Sequence, residues 1–176
     1  MRRFLSAVAG LTLAAVVAAP ASAQSATDLR PVRFGVQGGL SMPMGDFGDV
    51  AGSGYTVGGL LDWRGASMPF GVRFNADYGN WGGDSDVIDV DFNMFSGTAA
   101  AMFTVPTTGG ISPYVLGGVG MYSFGCSEDC DRETEFGFNV GGGLNFNLGT
   151  MDTFAEVRYH SAGDFSFVPV VFGIRF

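Results

Sequence analysis

From Val168 to Phe176 every second residue carries a bulky hydrocarbon: Val168, Val170, Phe172, Ile174 and Phe176 share one parity, and Pro169, Val171, Gly173 and Arg175 the other. Side chains alternate across an extended backbone, so this predicts a strand with one wholly apolar face. The same period of two recurs upstream. Ala155, Val157 and Tyr159 alternate with Glu156, Arg158 and His160. Phe70, Val72, Phe74, Ala76 and Tyr78 alternate with Gly71, Arg73, Asn75 and Asp77. Phe138, Val140, Leu144, Phe146 and Leu148 alternate with Asn139, Gly141, Gly143, Asn145 and Asn147. Four further segments, at about 33–41, 54–63, 92–105 and 113–123, fit the period with faces blurred by glycine. Turn-forming clusters separate all eight: Pro43-Met44-Gly45, Arg64-Gly65-Ala66, Gly82-Gly83-Asp84, 106–110, 125–132, Gly149-Thr150 and Gly163-Asp164.

Which way the apolar face points decides the architecture. A soluble sandwich buries its large side chains and turns its polar ones to water. Here the polar parity is small and mixed (Gly, Asn, isolated charges), while the other holds Phe, Val, Leu and Tyr. Small residues suit the narrow interior of an eight-stranded barrel and its strong curvature. With 29 glycines in 176 residues, the chain is rich in them. A lipid-facing Arg costs about 2–4 kcal/mol at the membrane midplane, so Arg73, Arg158 and Arg175 are expected in the lumen. The segments are long enough for tilted membrane strands, which need about 9–11 residues. The expected fold is therefore all-β: an eight-stranded antiparallel up-and-down transmembrane β-barrel.

The N-terminus reads as an export signal. Arg2 and Arg3 precede an apolar stretch from Phe4 to Ala19, and Ala21-Ser22-Ala23 fits a small-x-small cleavage site. Residues 1–23 are expected to be removed, leaving 24–176 as the barrel domain. An N-terminal anchor is the alternative, against which the short apolar stretch and the cleavage site argue. Export places Cys126 and Cys130 in an oxidising compartment, where pairing would close a loop worth roughly 2 kcal/mol. A metal centre built on the two cysteines and neighbouring acids would have a thin ligand set, with no histidine nearby.

Composition removes whole classes of function. The formal charge is −8, every cation is Arg, and no Lys occurs. Phosphate neutralisation by clustered cations, and hence nucleic-acid binding, is not expected. A Walker A lysine and a Schiff-base lysine are both ruled out. No cofactor is expected.

Topology follows from the connections. With both termini periplasmic, the odd connections (about 42–53, 80–91, 124–134 and 162–166) are expected to be the longer, outer ones, and the even ones the short turns. The odd connections also carry Asp46, Asp49, Asp84, Asp86, Asp89, Asp91, Glu128, Asp129, Asp131, Glu133 and Asp164. The outer end is expected to be strongly anionic.

In this pattern the chain resembles the small eight-stranded outer-membrane β-barrels of the OmpA/OmpX-like superfamily. Its sharpest element is the terminal strand with Phe172, Ile174 and Phe176 at alternate positions, which looks like the signal read by the outer-membrane assembly machinery. The resemblance covers 24–176 and implies a monomer in the outer membrane of a diderm bacterium, surrounded by lipid and lipopolysaccharide. No sequence follows Phe176, so the peptidoglycan-binding domain of OmpA-type proteins is not expected.

Candidate chemistry is sparse. Some barrels of this class are lipid A-modifying enzymes that use Ser and His. His160 and Ser161 are adjacent, but neighbours in a strand point to opposite faces, so a shared site is not expected. The run Asp84 to Asp91 has oxygen ligands for a divalent cation but lacks the spacing and central glycine of a calcium-binding helix-loop-helix. Mixed charges (Arg33, Asp62, Arg73, Asp77, Glu156, Arg158 and Arg175) are expected to pair in the lumen as a polar plug, since buried charges need partners. The expected role is structural, surface-interaction or adhesin-like, with a narrow small-solute channel and a lipid A hydrolase as alternatives.

Overall fold

The computed structural model describes residues 31–65, 68–83, 91–126 and 132–176; the expected export signal, Cys130 and most of the 84–91 acidic run lie outside them. Eight strands occur: β1 (Val32–Met44), β2 (Ala51–Trp63), β3 (Gly71–Gly83), β4 (Phe92–Thr104), β5 (Ile111–Cys126), β6 (Glu133–Leu148), β7 (Met151–Ala162) and β8 (Phe165–Arg175). Each pairs antiparallel with its sequence neighbours, and β8 returns to β1, giving a closed up-and-down barrel. Closure leaves no free sheet edge, the condition under which a sheet can stand in hydrocarbon.

The parities fall as the alternation requires. Leu40 is 68% exposed and Phe136 65%, whereas Arg73 and Trp81 are fully buried. Large apolar residues thus ring the outside, and the inside holds most of the polar groups. Such a surface is stable only against lipid.

The boundaries differ from the expected ones mostly at the loop end, though β5 and β7 also begin earlier than expected, at Ile111 and Met151. Strands run further toward the loop end, so the connections there shrink to 45–50, 84–91, 127–132 and 163–164. They are scarcely longer than 64–70 and 105–110 at the other end. The difference in connection length expected between the two ends is therefore absent; β5 and β6 reach 16 residues instead. Pro43 did not stop β1, because that stretch still pairs with β8 (Pro43 opposite Phe167) after the β2 ladder has ended at Ser41. Pro169 lies inside β8, and the β7–β8 ladder skips that position, as a residue without an N–H demands. Gly149 and Gly163 take the left-handed conformation, with φ of 67° and 55°, in the two tightest connections.

Candidate functional site

The lumen is filled in three levels. Nearest the turn end lies one continuous chain of ion pairs whose signs alternate. Arg33 donates to Asp152 at 2.6 Å, and Arg175 donates to Asp152 at 2.8 Å and to Asp62 at 3.1 Å. Arg73 forks onto Asp62 through Nε and Nη2 at 2.6 and 2.7 Å, then reaches Glu156 through Nη1 at 2.7 Å. Arg158 closes the chain on the other oxygen of Glu156, at 2.9 and 2.5 Å. Strand ends explain the gathering: Asp62, Arg73, Asp152 and Arg175 are each within two residues of the turn end of their strands, and the register sets Asp62 opposite Arg73 and Asp152 opposite Arg175. Glu156 sits deeper in β7 and is reached by the length of the Arg73 side chain.

Neutral groups complete this level. The Tyr114 hydroxyl donates to Glu156 at 2.8 Å, and the Asn145 amide oxygen accepts from Arg175 at 2.6 Å. Phe154, fully buried, carries the Arg73 guanidinium over its ring at 4.7 Å and that of Arg175 at 5.2 Å. Cation–π contacts of this kind strengthen when desolvated, to about 2 kcal/mol or more. Gly173 makes room for that ring: a Cβ there would collide with Cζ and Cε1 of Phe154. Gly173→Val is therefore expected to lower stability by about 1–3 kcal/mol through overpacking. Urea-unfolding midpoints in micelles check this, with Gly97→Ala as the neutral control, since a Cβ at Gly97 meets nothing within 4 Å.

The middle level holds a cavity of about 20 Å³, bordered by Gln37, Thr56, Asp77, Ser96, Glu156, Arg158 and His160. That is room for about one water molecule. Asp77 accepts from the Gln37 amide at 2.7 Å and supplies a fourth carboxylate against the four lumen arginines.

The loop-end level is aromatic. His160 lies parallel to Phe167 at 4.8 Å, with its Nδ1 2.9 Å from the Tyr122 hydroxyl. Trp81 meets Phe167 edge-on at 5.2 Å. Above them the 3₁₀ turn Gly45–Asp49 folds Phe47 inward, against Trp81, Phe92 and Phe165 at 5.3 to 5.7 Å. Phe47 is only 3% exposed and acts as a lid.

Among the residues singled out from sequence, the structure gathers Arg33, Asp62, Arg73, Glu156, Arg158 and Arg175 into the ion-pair chain and sets Asp77 beside the cavity. His160 is buried in the lumen, whereas Ser161 lies on the outer face, 3.5 Å from the Ser166 hydroxyl. Phe172 and Ile174 lie on the outward parity of β8, and Phe176, one residue past its end, is exposed. Cys126 ends β5 and is disulfide-bonded, while Cys130 lies outside the described residues. Sequence reasoning missed Asp152, Tyr114, Phe154 and Asn145, and did not foresee the Phe47 lid.

Comparison with solved structures finds the same barrel at low identity. Neisserial surface protein A aligns at a TM-score of 0.64 and 16% identity, covering 82% of this chain and 96% of its own. Ail, the attachment invasion locus protein of Yersinia pestis, gives 0.52 and 21%, with coverage of 82% and 97%. The outer membrane enzyme PagL gives 0.51 and 16%, with coverage of 82% and 98%. Comparison with curated protein sequences finds no match. The family model described as the outer membrane protein beta-barrel domain matches residues 9–168, and the chain belongs to that family.

Proposed function

We propose that this outer-membrane barrel is a closed, non-conducting, monomeric element that presents its acidic loop end to the cell exterior in a structural or surface-interaction role. The observation that carries this is the filled lumen: an unbroken ion-pair chain at one end, an aromatic lid at the other, and a water-sized cavity between them. A path for solutes would require both ends to rearrange. Removal of residues 1–23 and recognition of Phe172, Ile174 and Phe176 by the assembly machinery belong to the same reading.

In planar bilayers the purified protein is expected to show no stable unitary conductance; a steady, large one would sink the proposal in favour of a channel. On intact cells, an added protease is expected to cut at the loop end and spare 64–70 and 105–110. Ail is named for attachment and invasion, and PagL is called an enzyme, so the barrel itself does not choose between these roles. Hydrolysis needs a nucleophile within hydrogen-bond reach of its base, and His160 and Ser161 sit on opposite sides of the wall. Lipid A mass spectra of cells expressing the wild type and His160→Ala are expected to be the same.

A further inference from the structure

The outer face of β4 breaks the rule its neighbours keep. Its outward residues are Phe95, Gly97, Ala99, Ala101 and Phe103, a run of small side chains between two aromatic rings. Register sets Gly97 between Ala76 and Met121, Ala99 between Phe74 and Val119, and Ala101 between Val72 and Gly117. The result is a trough down the strand, bulky on both sides at mid-height and about 13 Å from Gly97 to Ala101 at the usual strand rise. It is open, because a Cβ built on Gly97 meets nothing within 4 Å.

The loop end of this trough is not apolar. Phe95 packs on Tyr78 at 4.9 Å, and Tyr78 on Tyr55 at 6.4 Å, forming an aromatic ledge. The exposed Arg132 guanidinium lies over the Phe95 ring at 5.4 Å and donates to Asn93 Oδ1 at 3.1 Å. Among the described residues, Arg132 is the one cation at the loop end; Arg33, Arg73, Arg158 and Arg175 are committed to the lumen, and Arg64 lies at the turn end.

The geometry points to a lipid-binding site for lipid A, with a phosphate on Arg132 and one acyl chain along β4. The trough opens only to hydrocarbon, so its occupant has a long apolar chain. The cation at its polar end, on an otherwise acidic rim, calls for an anionic headgroup. Guanidinium and phosphate pair as a charge-assisted fork. The choice of lipid A over an anionic phospholipid rests on the proposal that the loop end faces outward.

The test uses the full chain refolded in detergent micelles and native mass spectrometry with purified bis-phosphorylated lipid A, alongside dipalmitoyl phosphatidylglycerol. The wild type is expected to retain one lipid A. Arg132→Ala is expected to weaken retention about tenfold, in line with a charged hydrogen-bonded contact, and Gly97→Leu to weaken it comparably by filling the trough. Heat-modifiable migration reports that both variants still form the barrel, and Arg64→Ala is expected to bind as the wild type does. Equal retention by the wild type and both variants overturns the site, and retention of phosphatidylglycerol as strong as that of lipid A overturns its identity. Binding is read on purified protein and loop-end exposure on cells, so the two readings fail separately.

Discussion

Glu156→Leu is expected to destabilise the barrel by about 3–5 kcal/mol, the cost of stranding a buried charge. Arg158 is 3% exposed, and Glu156 is the only carboxylate it touches among the described residues; Asn75, at 3.4 Å, is its remaining hydrogen-bond partner. Arg73 loses one of two carboxylates and keeps the fork to Asp62. The larger part of the loss therefore falls on Arg158. Glu156→Leu with Arg158→Leu is expected to recover most of the stability, since replacing a buried pair by hydrocarbon of similar volume is often neutral. Reversible urea unfolding in lipid vesicles, followed by tryptophan fluorescence, measures both. A single-variant loss below about 1 kcal/mol, typical of an exposed pair, would show that water reaches this chain of charges.

Trp81→Ala is the second large effect, at about 3–5 kcal/mol for truncating a buried aromatic residue. Trp81 is fully enclosed between Phe47 and Phe167 and stands at the centre of the loop-end cluster with Met94 and Tyr122. Met94, Tyr122 and Phe167 lie on fixed strands that cannot close over the gap, and only Phe47 on its turn can follow, so both the lost transfer energy and the cavity count. Phe47→Ala is expected to cost less than Trp81→Ala, because the five-residue turn that carries Phe47 can collapse. Unfolding midpoints of the two variants decide this; a larger loss for Phe47 would mean that the lid, rather than the wall, holds the cluster together.

The barrel was legible because a period of two with one lipid-facing parity leaves little choice. Where both faces are small, as at Gly141 to Gly143, the neighbours on either side still carry the phase. The lumen arginines were legible for the same reason: each shares the parity opposite a run of hydrocarbons. Asp152 was not, because two residues after Gly149-Thr150 it reads as part of a turn, and only the register shows it opposite Arg175. Tyr114 was hidden because a large side chain on the inner parity looks like a lipid-facing one until the phase of its strand is known, and Phe154 because it precedes the clear alternation that begins at Ala155, in a stretch the structure adds to β7. Phe47 lies between two acids in Gly45-Asp46-Phe47-Gly48-Asp49, a composition that reads as solvated loop; one aromatic residue among four small or acidic ones was the available cue. Connection lengths misled because loop and strand share sequence at the rim, where Gly and Ser suit both.

The ion-pair chain also joins the two ends of the polypeptide. Arg33 belongs to the first strand and Arg175 to the last, and both hold Asp152, while Arg175 reaches across the β1–β8 seam to Asp62 in the second strand. A slip of one residue at that seam would exchange the two faces of β8. Arg175 would then face acyl chains and the flanking Ile174 and Phe176 the lumen, while Asp62 and Asp152 each lost a partner. The lumen charges therefore act as a register lock: the barrel reaches electrical balance only when its first and last strands meet at one alignment.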